Sequence, residues 1–221
     1  MSSSALPTLS SSQVKQVDSL CEERFGISTD WLMEAAGWQV ARFIGQRAVV
    51  VCGTGNNAGD GFAAARHLHR WDRLASVCCV DASRIRGAAA RELDSLQRLR
   101  ISIENDLRLD DAEVIVDAIF GTGLARAPEG KFAEWIDAVN KSGKSVIAVD
   151  VPSGLDADSG LAYSPTVEAN VTITLGLPKP GLLKLAGRVL VADIGVPNEA
   201  YAAIGVDVPA DLFAKGDLIP L

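Results

Sequence analysis

Asn56, Asn57 and Asp60 stand in Gly53-Thr54-Gly55-Asn56-Asn57-Ala58-Gly59-Asp60-Gly61, directly after the apolar run Val49 to Cys52. Glycines let a backbone approach a ligand closely, and two amides with a carboxylate give such a turn polar contacts to offer. Phe62 to Arg70 is alanine-rich and predicts a helix, whose unpaired N–H groups would face the turn. Strand, glycine turn and helix together predict a phosphate or nucleotide cradle. Two more acids close apolar runs ahead of turns: Asp117 before Gly121-Thr122-Gly123-Leu124, and Asp150 before Pro152-Ser153-Gly154. A carboxylate in such a place needs a cation, hydrogen-bond donors or a part in catalysis, unless it merely caps its turn. Asn57, Asp117 and Ser153 supply oxygens with one net negative charge, which suits a hard cation of low charge better than zinc.

A second reading competes for the first turn. Residues 53–58 also satisfy the dinucleotide fingerprint G-x-G-x-x-A, with Asp81 ending the next apolar run as the ribose-binding acid, the pattern of a dehydrogenase. Asp60 weighs against the usual pyrophosphate pose, because two unit charges about 4 Å apart repel by about 4 kcal/mol at an effective dielectric near 20. Lys179, stiffly held between Pro178 and Pro180, could meet a phosphate or serve as a solvated loop lysine. Asp156 to Gly160 begins like a calcium loop but lacks the sixth-position glycine, and reads as an exposed turn. His67 and His69, two residues apart on one helix, point to different faces and form no metal pair.

The elements that must position these groups follow from hydrophobic pattern. Residues 1–9 read as a frayed tail, and Ser12 as the cap of a helix that Gly26 stops. A second helix starts at Ser28 or Thr29 and ends near Gly45, and both helices carry apolar stripes that could cover the sheet or a second copy. Apolar runs at 48–52, 74–80, 113–119, 145–151, 170–175 and 188–194 alternate, in the first four cases, with helical stretches at 60–70, 87–99 and 129–142. That alternation predicts one α/β domain over 10–221, a mainly parallel sheet with helices on both faces and its ligand at the carboxyl ends of the strands. A strand at 101–104 is undecided by pattern.

A chain of 221 residues with 48% hydrophobic and 22% charged content has the balance of a globular domain. Its net charge of −7 disfavours nucleic acid and anionic membranes as partners. No apolar run reaches the roughly 20 residues of a membrane span, and the Ser-rich start lacks a secretory pattern, so a cytoplasmic location is expected. The four cysteines lack C-x-x-C spacing, and they read as buried, reduced thiols.

Taken in order, Leu32-Met33-Glu34-Ala35-Ala36-Gly37, Gly55 to Gly61, Val116 to Leu124, Asp150-Val151-Pro152-Ser153-Gly154-Leu155-Asp156, and Pro178 to Leu182 ahead of Asp193-Ile194-Gly195 resemble the NAD(P)H-hydrate epimerase family, the YjeF amino-terminal domains. The likeness runs over about residues 10–200. It implies a single Rossmann-like α/β/α sandwich that interconverts the R and S forms of hydrated NADH and NADPH without redox chemistry. It places substrate binding on Asn56, Asn57, Ala58, Gly59 and Asp60, on Gly121, Thr122, Gly123, Leu124, Ala125, Arg126 and Ala127, and on Asp150. A potassium ion would be held by Asn57, Asp117 and Ser153, and Asp150, then Asp60, are the expected catalytic acid/base residues. The family usually has Asn at the positions of Ala35 and Gly at that of Ala58. The kinase-like dehydratase domain fused to many members has no place in 221 residues, which implies a separate dehydratase; a homodimer is implied as well. A non-catalytic nucleotide-binding or scaffold module of the same fold is the alternative within this resemblance.

Overall fold

The computed structural model describes residues 6–185, 187–214 and 216–221. Among them, eight strands form one sheet: β1 Ala48–Cys52, β2 Leu74–Cys79, β3 Ile103–Glu104, β4 Val114–Ala118, β5 Ser145–Val149, β6 Val171–Leu175, β7 Arg188–Ala192 and β8 Leu218–Pro220. Their order is β3-β2-β1-β4-β5-β6-β7-β8, all parallel except the β7–β8 pair. Chain direction across the sheet reverses between β1 and β4, which are hydrogen-bonded neighbours with Val51 opposite Asp117. A crevice opens at the carboxyl ends of strands at such a switch point.

Alternation along each strand divides the core. Val50 and Cys52 face one side, where they meet helices α2 Thr29–Phe43, α3 Asn56–Arg70 and α4 Gly87–Arg98. Val49, Val51 and Ile115 face the other, against α5 Lys131–Lys141 through Trp135, Ile136 and Val139. This is the expected three-layer α/β/α fold. A separate apolar cluster joins α1 Ser11–Phe25 to the short α6 Asn198–Ala202 through Val17, Cys21, Ala200 and Tyr201. The four cysteines are buried and free. Among the described residues no helix is long and apolar enough to cross a membrane.

Several boundaries differ from the sequence expectation. Helix α1 is capped by Ser10, not Ser12: Gln13 N donates to Ser10 Oγ and the Gln13 side chain accepts from Ser10 N, a reciprocal box. The tail is shorter than expected, since Leu9 is buried and its N–H donates to Pro178 O at 2.9 Å, while residues 1–5 lie outside the described residues. The undecided run at 101–104 supplies only the two-residue edge strand β3. The largest change is at the glycine segment. Helix α3 starts at Asn56 rather than after Gly59, so Asn56 to Gly61 are helical. Gly59 and Gly61 serve packing there: a Cβ would lie 2.4 Å from Met33 Sδ at Gly59 and 2.6 Å from Ala118 Cβ at Gly61. Gly53 is the true close approach, where a Cβ would fall 2.1 Å from Ile119 O. Ala58 has ordinary helical backbone, so its methyl group adds no strain.

Candidate active site

A cavity of about 420 Å³ lies beyond the carboxyl ends of β1, β4, β5 and β6. Asn56, Asn57 and Asp60 enter it from the first turns of α3, Ile119 to Leu124 from the turn after β4, Asp150 from the end of β5, and Leu175 to Leu177 from the end of β6. Helices α1, α2 and α6 complete the wall with Val14, Asp18, Leu32, Met33 and Tyr201. Three turns that are far apart in the chain therefore meet in one hollow.

Asp150 is the most constrained group in it. Its backbone is left-handed, φ 66°, a region that costs a non-glycine residue about 1–2 kcal/mol and that Asp tolerates better than most. Its Oδ1 accepts from Lys179 Nζ at 2.5 Å, Leu175 N at 3.2 Å and Thr174 Oγ1 at 3.3 Å. All three donors converge on Oδ1, which leaves Oδ2 available to a ligand. Lys179 is only 1% exposed. Its remaining donors reach Leu175 O at 2.8 Å and Thr174 Oγ1 at 3.2 Å. Both sequence expectations for this lysine fail. It is neither solvated nor free for a phosphate, because the turn into the short 3-10 segment Pro180–Lys184 aims it inward at Asp150.

Asp60 is buried beside this pair. Burial first, then the like charges of Asp150 and Asp18, hold its carboxyl well above the usual range against the opposing pull of Lys179. Burial thus favours the neutral form of Asp60, which weakens the repulsion expected from a fixed charge here. Asp18 is half-buried on the cavity wall. Burial lifts its carboxyl to about 6, with Lys179 lowering and Asp150 raising it.

Of the oxygens grouped from sequence, Asp117 and Ser153 meet at the turn after β4, and neither lines the cavity. Asp117, fully buried, accepts from Ser153 Oγ at 2.6 Å, Ser153 N at 2.8 Å and Ile119 N at 3.2 Å. Ser153 Oγ also accepts from Phe120 N at 2.8 Å. Burial still raises the Asp117 carboxyl to about 6, partly offset by those bonds to Ser153 and Ile119. Asn57 presses on the same turn: a Cβ at Gly121 would lie 3.2 Å from its Oδ1. Both amide atoms of Asn57 are buried without a partner among the described residues. An orphaned amide beside a buried carboxylate and a hydroxyl is a donor set that fits a monovalent cation. Among the described residues no group of three His, Cys, Asp or Glu side chains could hold a metal, so such a site depends on the amide and hydroxyl oxygens.

Not every expected residue reaches the cavity. Asn56, Asn57, Asp60, Gly121, Thr122, Gly123, Leu124 and Asp150 line it. Ala58 and Gly59 do not, because the helical start of α3 turns them inward against the core and Met33. Ala125, Arg126 and Ala127 do not either; the chain has left the strand end there, and Ala125 and Arg126 are exposed. Ala35 is also outside the lining. Asp81, the ribose-binding candidate, instead accepts from Ser83 N at 3.1 Å and Ser83 Oγ at 2.6 Å to cap a 3-10 turn away from the cavity. His67 bonds Glu34 Oε1 at 2.9 Å, and Asp156 holds the turn to Ser159. Sequence reasoning missed Asp18 and Tyr201. For Asp18 a signal existed: it lies one turn beyond Val14 and beside Val17, at the edge of the buried stripe of α1.

The family described as YjeF-related protein N-terminus matches residues 29–181. The bifunctional NAD(P)H-hydrate repair enzyme Nnr of Thermofilum pendens is 37% identical over 208 residues, 86% of this chain and 39% of that protein. The chain spans about two fifths of the length of the bifunctional relatives it matches. The NAD(P)H-hydrate epimerase of Rhodopirellula baltica is 34% identical over 218 residues, 91% of this chain and 89% of that protein. The crystal structure of yeast ynu0 superposes with a TM-score of 0.84 at 24% identity, over 98% of this chain and all of that one, and shares the fold. The matched segment runs from the start of α2 through the three turns to Lys179, and the chain belongs to the YjeF-related protein N-terminus family.

Proposed function

We propose that the protein is an NAD(P)H-hydrate epimerase, interconverting the R and S forms of hydrated NADH and NADPH. One observation carries the reading: Asp150, ion-paired with the buried Lys179, and Asp60, whose burial favours its protonated form, line one cavity of about 420 Å³. The relatives that match most of their own length are named NAD(P)H-hydrate epimerase, which supports it.

The reacting carbon of the hydrate bears a hydroxyl and is bonded to the ring nitrogen. Asp60 protonates the hydroxyl as the C–O bond breaks, water leaves, and the nitrogen lone pair closes a C=N⁺ bond. The Asp150 carboxylate stabilises that cation. Water returns to the opposite face of the ring and gives up a proton to Asp150, which restores the neutral carbinolamine with inverted configuration; a proton then passes from Asp150 back to Asp60 through solvent water, and the pair is ready for the next turnover. No electron leaves the substrate, so no redox partner enters.

A potassium ion would be held by Asn57, Asp117 and Ser153, where its positive charge would offset the Asp117 carboxylate and steady the turn that carries Gly121 to Leu124. The reading brings with it a cytoplasmic setting, a hydrate dehydratase acting downstream, and the pairing of two copies. The test is incubation of purified R-hydrate with the protein and an independent S-specific dehydratase. Recovery of reduced cofactor well above the spontaneous epimerisation rate is expected, and recovery at the spontaneous rate rejects the reading.

A further inference from the structure

Asp18 brings a third carboxyl to the cavity from an element outside the strand-end turns. Helix α1 is fastened at its start: Leu9 N–H, just ahead of it, donates to Pro178 O beside Lys179 at 2.9 Å, and Ser11 N and Oγ donate to Asp158 Oδ1, between β5 and β6, at 2.7 and 3.1 Å. Asp18 therefore sits at a set position against the buried ion pair. The charged and titratable groups around it come from every neighbouring element: Lys15 and Cys21 on α1, Asp60 on α3, Asp150 after β5, Lys179 after β6 and Tyr201 on α6.

Lys179, the one buried lysine or arginine among the described residues, cannot serve all three acids. An ammonium has three donors, and those of Lys179 are taken by Asp150, Thr174 and Leu175. Lys15 is exposed, so its charge is screened by water. Two carboxyls thus line the same cavity without a bonded counter-charge, which disfavours ionising both. Exposure sets the order: Asp18 is half-buried and Asp60 is buried, so Asp18 gives up its proton first.

We propose that Asp18 is a positioning residue for the proton chemistry of this site, its carboxylate keeping the proton on Asp60 so that the acid stays loaded while Asp150 acts as base. The proposal rests on the roles given to Asp60 and Asp150 above. An Asp18 carboxyl lifted to about 6 is mostly ionised at neutral pH, and its charge, after burial and the charge of Asp150, is one of the causes that push the Asp60 carboxyl up.

The deciding variant is Asp18→Asn, which removes the charge and keeps the shape. Carbon-13 carboxyl titration by NMR would follow Asp60 in the wild-type protein and the variant, alongside pH–rate profiles of hydrate epimerisation. Asp60 is expected to titrate about one pH unit lower in Asp18→Asn, a tenfold change in its proton equilibrium, and the alkaline limb of the rate profile to move down with it. Asp60→Asn assigns the Asp60 carboxyl resonance by removing it, and Asp18→Glu should return that titration and the alkaline limb towards their wild-type positions. An Asp60 titration unmoved in a folded Asp18→Asn protein overturns the proposal, as does an unmoved alkaline limb. If the wild-type protein does not epimerise the hydrate, the functional reading fails while the NMR titration still decides whether Asp18 controls the Asp60 proton.

Discussion

Lys179 donates to Asp150 Oδ1 at 2.5 Å from a position 1% exposed, and the acid that receives it holds a left-handed backbone at φ 66°. Removing one member of a buried ion pair strands the other's charge, at a cost of about 3–5 kcal/mol. Lys179→Met should therefore lower stability by several kcal/mol in urea unfolding and should also reduce activity, because Asp150 loses its counter-charge. A variant as stable as wild type would show that the pair is not closed in solution.

Asp150→Asn removes the base and leaves Lys179 without its counter-charge, so stability should fall by about 3–5 kcal/mol as in Lys179→Met, while the protein that still folds reports on the chemistry. Asn adopts left-handed backbone nearly as readily as Asp, so the turn survives, while the base is gone. The expected result is an unchanged circular dichroism spectrum with conversion between hydrate epimers abolished. Retained turnover would remove Asp150 from the mechanism.

Potassium should stabilise the protein specifically. A ligand at about one hundred times its Kd adds about 2.7 kcal/mol to the folded state. Melting temperature measured in KCl should exceed that in choline chloride at equal ionic strength, and Asn57→Ala should erase the difference. Equal melting in both salts would leave the orphaned Asn57 amide without a cation.

The contribution of Asp18 to stability should fall as pH rises between about 4 and 6. The folded chain binds the Asp18 proton more tightly than the unfolded chain, since its carboxyl moves from 3.8 to about 6 on folding. The stabilisation this gives is complete below pH 4 and lost above pH 6, about 3 kcal/mol at most by linkage. Urea midpoints at pH 4, 5, 6 and 7 should show a shallower decline in Asp18→Asn than in wild type.

Gly37→Ala tests the seam between α2 and α3. A Cβ there would lie 2.4 Å from Ala63 Cβ and 2.7 Å from Ala64 N, so the two helices must separate. Overpacking of this kind costs about 1–3 kcal/mol, and a drop in melting temperature of several degrees is expected.

Strand and helix periodicity along the chain was enough to specify the layered α/β/α fold, because burial on both faces of a parallel sheet writes continuous apolar runs into the sequence. Glycine-flanked acids at the ends of those runs likewise marked Asp117 and Asp150 from residue type alone. The helical start of α3 was hidden, since Gly59 and Gly61 read as loop formers when only packing against Met33 and Ala118 explains them. Proton states and partners were decided by tertiary structure. Lys179 has the same residue type whether solvated or buried, and only the fold of the Pro178–Pro180 turn aims it at Asp150. Asp18 is an ordinary polar residue of an amphipathic helix until α1 is laid across the strand ends. Desolvation and charge coupling depend on distances between segments far apart in the chain, and no local pattern encodes them.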